Sequence, residues 1–278
     1  MTRIAFILAA LVTALAPSPA PAGPTPATLP VEPTGRPESP YVLHLPGIGG
    51  HRFPDEALSR GLRAGLPGVE VFIFDWTGED EGLNALTNVA RHVEQAARVA
   101  EQLTHVARRQ PGRRIILTCH SGGAGVAARA LERLPDGVQI DTWLLLAPAL
   151  SPEYDLSPAL ARVSRAAYHF YSQTDPVLGF GTRNFGTVDR VKTDAAGRVG
   201  FRRPPAAGDP AQYEKLQQFP YDSAWVRTGH FGDHIGPMMT PFARRVLAPL
   251  LQTGVLPEIT PAAAVDRPPT TRPAAPQG

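Results

Sequence analysis

The chain has 278 residues, of which 43% are hydrophobic, a formal net charge of +2 and one cysteine. That length suffices for one substantial core, and a single thiol rules out an intramolecular disulfide. The basic residues are almost all arginine, Lys192 and Lys215 being the lysines, and they are scattered rather than gathered in a run, which argues against a nucleic-acid partner.

Residues 1–22 read as a secretory signal peptide. Arg3 precedes an apolar stretch from Ile4 to Leu15, and small-residue sites follow at Ala14-Leu15-Ala16 and Ala20-Pro21-Ala22. The apolar stretch is short for a bilayer span, so the expectation is an exported protein with no integral span after cleavage; an uncleaved anchor is the competing reading. Residues 23–40 are proline-rich and read as linker, and residues 255–278 read as a disordered Pro/Ala-rich tail. Between them, residues 41–254 have the size of one α/β domain.

Within this body, apolar runs at 41–45, 69–74, 114–118, 142–146 and 167–171 predict strands alternating with helical patterns, the signature of a parallel sheet with crossover helices. Leu86, Val89, Val93, Ala96, Ala100, Leu103 and Ala107 recur at helical steps and predict one helix over 84–109, stopped by Pro111-Gly112. A second helix follows Ser121 and ends at Pro135-Asp136-Gly137. A last one opens at Thr240-Pro241, with Pro249 expected to kink or end it. Residues 179–208 fit neither period; the run 193–198 suggests a turn inside a hairpin or excursion, and so long an irregular stretch suggests a lid or substrate-shaping insert.

Cys119-His120-Ser121-Gly122-Gly123 lies where the third apolar run gives way to a helix of small residues. The pattern is G-x-S-x-G with Cys119 in place of the first glycine. Small residues are demanded two before and two after the serine because strand and helix pass closely there, so Cys119 and Gly123 are packing positions of the turn. Cys119 itself reads as a small buried hydrophobe rather than a nucleophile. A serine hydroxyl requires a base, an acid to orient that base, and donors for the oxyanion. Asp175, in Thr174-Asp175-Pro176-Val177 just past an apolar strand, is the acid candidate, with Asp155, Asp189 and Asp222 as alternatives. The glycine-broken loop Gly229-His230-Phe231-Gly232-Asp233-His234-Ile235-Gly236 supplies the base: His234, nearer the last helix, with His230 as the alternative. Asp233 reads as a loop-stabilising residue. The His-x-x-x-His spacing would suit a metal only on a helix, which the glycines oppose, and no third ligand stands at a recognisable spacing, so no metal is expected.

The serine, aspartate, histidine order, the elbow and the upstream glycine loop Pro46-Gly47-Ile48-Gly49-Gly50 together resemble the α/β-hydrolase superfamily of esterases and lipases, over residues 41 to about 251. The resemblance implies a single α/β-hydrolase domain: a mostly parallel central sheet flanked by helices, with an irregular insert after the acid-bearing strand. It implies oxyanion donors from the amides of Gly122 and Ile48, Gly49 being next, although Pro46 stands where the family has histidine. The activity implied is hydrolysis of a carboxylic or lipid ester through an acyl-enzyme, without a cofactor; peptidase, thioesterase and acyltransferase chemistry share the fold. The rivals are a non-catalytic binding protein of the same fold and an envelope scaffold. Asp75-Trp76 ends the second predicted strand and reads as a strand-end turn with a half-buried tryptophan, a reach to the pocket rim being the alternative.

Overall fold

The computed structural model describes residues 29–78 and 80–259. The signal-peptide segment, the start of the proline-rich linker and all but the first residues of the tail lie outside the described residues.

Six strands, β1 (Tyr41–Leu45), β2 (Glu70–Ile73), β3 (Ile115–His120), β4 (Ile140–Leu146), β5 (Val163–Tyr171) and β6 (Leu216–Pro220), form one sheet in the order β2-β1-β3-β4-β5-β6. Every pairing is parallel. Parallel strands need crossovers and bury both faces, which is why β1, β3 and β4 read as near-continuous apolar runs. Alternate residues divide between two cores. Leu43, Leu45, Leu117 and Trp143 pack with Val99, Leu103 and Val106 of α3 (Val89–Arg109) and Val126 and Leu131 of α4 (Gly123–Glu132). Val42, Ile116, Leu144 and Phe170 face Leu58 and Leu62 of α1 (Phe53–Gly65) and the C-terminal helical stretch containing Phe242, Val246 and Leu250. Full burial of each such side chain contributes about 1.5–3 kcal/mol. The chain order steps from β1 outward to β2 and then back across to β3, so the crevice beyond the C-terminal ends of β1 and β3 is the switch point of the sheet, where open α/β folds place their ligands.

Several elements differ from the sequence expectation. The helix expected over 84–109 is two pieces, α2 (Leu83–Thr87) and α3; Asn88 breaks it and caps α3 by accepting from the Arg91 amide. The unforeseen α1 carries Gly61 and Gly65, residues that normally signal a break. Here they mark close approach: a Cβ on Gly61 would stand 2.6 Å from Thr240 O. The 179–208 stretch holds no hairpin. Residues Pro176–Phe185 form α5 and Ala196–Val199 form α6, so the expected 193–198 turn runs into a helical turn. Val188, Ala196 and Phe201 sink into the main core, which fixes much of this insert to the body. The last helix does not stop at Pro249: Thr240–Phe242 widens into a π-helical turn at Ala243–Leu247 and continues through Ala248–Thr253. β6, an edge strand ending in proline, escaped the period-2 pattern because it is largely exposed. The described part of the presumed linker is not free: Thr34 and Gly35 amides donate to Glu70, Val31 exchanges hydrogen bonds with Gln102, and Leu29 is buried.

Candidate active site

At the C-terminal end of β3, Ser121 adopts φ 51°. A non-glycine residue reaches this left-handed region only against strain, and the turn is held by bonds from Ser121 N to Leu146 O and from Ala149 N to Ser121 O. Gly123 is obligatory in this packing, because a Cβ there would collide with Pro46 O and stand 2.7 Å from Leu45 O. Cys119 is wholly buried, and burial pushes its thiol up to about 12, a contact with Trp143 pulling the other way, so it stays protonated. Cysteine fits this elbow position as a small buried side chain, packed in the core cluster that also holds Ala124, Val126 and Ala127 of α4.

The acid and base candidates meet. Asp175, 1% exposed, accepts through Oδ2 from His234 Nδ1 at 2.6 Å, which leaves Nε2 of His234 with the lone pair. Its other oxygen, Oδ1, accepts from Leu178 N at 2.9 Å and caps α5. The loop bearing His234 is tied to the acid loop by Ser172 Oγ and Thr174 Oγ1, both donating to Gly232 O at 2.7 and 3.0 Å. It is tied to the elbow by His120, whose Nε2 donates to His234 O at 3.0 Å and whose ring lies 4.6 Å from that of His234. Burial, with the neighbouring His234 adding to it, lowers His120 to about 3, so it remains a neutral donor. Ser121 Oγ makes no hydrogen bond with a described residue.

The alternatives are engaged elsewhere. His230 stacks on Trp225, packs against Tyr221 and Phe242, and accepts from Gly232 N at 3.2 Å; burial lowers it to about 4, Asp175 opposing. Asp233 accepts from Gly236 N. Asp155 holds Ser157 and Gly208, Asp189 holds Ser151, and Asp222 caps the turn Ser223–Thr228. Among the described residues, no group of three His, Cys, Asp or Glu is arranged to hold a metal ion, and no helix is long and apolar enough to cross a membrane.

The glycine loop after β1 faces the elbow. A Cβ on Gly122 would stand 3.7 Å from Ile48 N, and one on Gly47 3.2 Å from Ser121 Cβ. Four successive carbonyls of this loop are occupied: Pro46 O by Trp76 Nε1 (2.7 Å), Gly47 O by Gly50 N (3.1 Å), Ile48 O by Gly82 N (2.7 Å) and Gly49 O by Arg52 Nε (2.8 Å). The amides of Ile48, Gly49 and Gly122 donate to no described residue. Backbone amides left uncommitted in this way are the kind of donor set from which anion-binding concavities are built.

Sequence reasoning misjudged one feature and passed over another. Trp76 is fully buried, not half-buried, with its indole directed at the glycine loop. His44, behind the loop, is buried between Asp55 (2.9 Å) and Thr118 (2.7 Å). Burial works against ionisation of Asp55, but hydrogen bonding and charge from His44, with His120 and the Arg52 amide, hold its carboxyl below the ordinary range. The pairing of β1 with β2, which sets His44 beside Ile73, would have located Trp76 next to the loop.

The parallel sheet, the crevice at its switch point and the strained serine turn define an α/β-hydrolase fold. Residues 42–199 match the family described as Serine aminopeptidase, S33, and the chain belongs to that family. Solved structures with a similar outline include lipase B of Aspergillus fumigatus, 12% identical, with a TM-score of 0.49, covering 87% of this chain and 64% of that one. Est1E of Butyrivibrio proteoclasticus is 14% identical, with a TM-score of 0.39 and coverage of 78% and 90%. The carboxylesterase CesB of Bacillus subtilis is 12% identical, with a TM-score of 0.37 and coverage of 80% and 86%. This chain thus spans less than two thirds of the lipase B chain. Among curated proteins, none matches the sequence.

Proposed function

We propose that this protein is an exported serine hydrolase that cleaves a carboxylic or lipid ester through an acyl-enzyme. Ser121 is the nucleophile, His234 the base, Asp175 the acid that orients it, and the amides of Ile48 and Gly122 the oxyanion donors. The observation that carries this reading is the 2.6 Å bond between Asp175 Oδ2 and His234 Nδ1 on a loop fastened beside a serine at φ 51°. His234 Nε2 takes the Ser121 proton as Oγ bonds to the ester carbonyl carbon, and the carbonyl oxygen becomes an anion facing the free amides. Collapse expels the alcohol, protonated by His234; water then attacks the acyl-serine with the same base and releases the acid. Hydrogen bonds from serine to base are often loose without substrate and tighten in the complex.

Labelling with a fluorophosphonate probe and hydrolysis of short-chain p-nitrophenyl esters test the reading. The wild-type protein is expected to label and turn over, and Ser121→Ala to do neither; a well-folded wild type inert in both would favour the non-catalytic binding protein. The family description favours a second reading, amide hydrolysis at a peptide N-terminus. Turnover of aminoacyl p-nitroanilides in preference to esters would select it.

A further inference from the structure

Trp76 and Asp75 adjoin in sequence and grip the glycine loop at its two ends. Trp76 Nε1 donates to Pro46 O at 2.7 Å, and Asp75 Oδ2 accepts from His51 N at 2.8 Å. Neither side chain is itself loose. Asp75 Oδ1 is held by Thr77 N and Oγ1 at 2.9 and 2.7 Å, and Trp76 is wholly buried, edge-on to His92 at 5.4 Å, with His92 Nε2 fixed on Ala85 O. Gly50, between the two grips, has φ 69°, and a Cβ there would stand 2.8 Å from both Asp75 Oδ2 and Thr77 Oγ1. The loop must therefore turn inward at this point, against a fixed carboxylate.

We propose that Trp76 and Asp75 are positioning residues that hold residues 46–51 with the carbonyls of residues 46–49 engaged and the Ile48 amide toward Ser121. The catalytic part of this inference rests on the hydrolase reading above. A peptide plane that lost its anchoring at Pro46 O could rotate and present a carbonyl lone pair to the oxyanion, which would raise the barrier without weakening substrate binding. Loss of one well-aimed oxyanion donor costs about 10²–10³-fold in kcat, and misaiming a donor should cost part of that.

The test compares wild type, Trp76→Phe and Asp75→Asn. Phenylalanine keeps an apolar ring and removes the indole donor; asparagine keeps the shape and weakens the acceptor. For both variants the expected result is a kcat on p-nitrophenyl esters about 10- to 100-fold lower, KM within about twofold, and a matching loss of affinity for a trifluoromethyl ketone, whose adduct carries the oxyanion. Amide hydrogen exchange at Gly50 and His51 is expected to quicken at least tenfold, with exchange in α4 unchanged. A role in stability alone would lower the melting temperature and leave kcat and ketone affinity in place, which overturns the proposal. Unchanged exchange at Gly50 and His51 in both folded variants overturns it as well. If the wild type turned over no ester, the hydrolase reading would fail first, and the exchange measurement would still decide whether the two residues hold the loop.

Discussion

Two histidines stand four residues apart in one loop, and their surroundings give them opposite tasks. His234 lends Nδ1–H to Asp175 and keeps Nε2 available. His230 spends Nδ1 as an acceptor for Gly232 N and its ring faces on packing with Trp225, Tyr221 and Phe242. His230 therefore packs beneath the loop, and His234 is the histidine left to serve as the proposed base. Replacing His234 by alanine is expected to lower kcat by about three orders of magnitude or more, with little change in melting temperature. His230→Ala should do the reverse: a clear drop in melting temperature, from the cavity left among three aromatic rings and the orphaned Gly232 amide, and a kcat within about tenfold of wild type. Steady-state kinetics beside thermal melts check both, and a loss of turnover confined to His230→Ala would move the base to that residue. Cys119 makes the same point in a smaller way. A thiol one residue before a histidine and two before the serine reads in sequence as a small packing residue, and burial keeps it protonated.

At the scale of elements, Asp175 joins two jobs that sequence reading treats separately. One oxygen orients His234 and the other caps α5 through Leu178 N, so the acid loop and the first helix of the insert are built as one piece. The two jobs can be parted by substitution. Asp175→Asn keeps an oxygen for the cap and loses the carboxylate charge beside the imidazole; it should cost up to about 10⁴-fold in kcat with a nearly unchanged melting temperature. Asp175→Ala should cost the same activity and in addition about 1 kcal/mol of stability from the lost cap. Kinetics and chemical denaturation of the pair distinguish these outcomes; equal stability for the two variants would mean that the cap carries nothing. Elements were legible in sequence where local pattern decides them. β1, β3 and β4 announced themselves as apolar runs, and the elbow as a run of small residues around Ser121. α1 was not, because Gly61 and Gly65 serve contacts with a helix about 180 residues away, and a glycine's reason for being there is invisible until its neighbour is known. The braces on the glycine loop were hidden for the same cause: residues 75 and 76 meet residues 46 and 51 only once β2 pairs with β1.

For the molecule as a whole, buried histidines link stability to pH. Burial lowers His120 to about 3 and His169 and His230 to about 4, with neighbouring His234 adding to the effect at His120, while Asp55 opposes there, Gln218 at His169 and Asp175 at His230. In an unfolded chain a histidine titrates near 6.5. Between that value and the folded ones, the unfolded state binds more protons than the native state, so the free energy of unfolding falls as pH falls. The expected profile is a melting temperature that is flat above about pH 7 and declines steadily from about pH 6.5 toward pH 4. Asp55 has the opposite origin, a carboxyl held below its ordinary value of 3.8, and adds its own loss only below about that pH. His169 isolates the histidine contribution, because it lies on β5 between Tyr171 and Phe201, away from Ser121, with Nδ1 on Gln218. His169→Phe retains an aromatic ring and cannot be protonated. His92 is likewise lowered by burial, so the melting temperature of the variant should fall less steeply between pH 6.5 and 4 than that of wild type, by roughly a quarter if the four buried histidines contribute alike. Esterase activity at pH 8 should be unchanged. An equally steep decline in the variant would shift the acid sensitivity to other groups and leave His169 as a packing residue only.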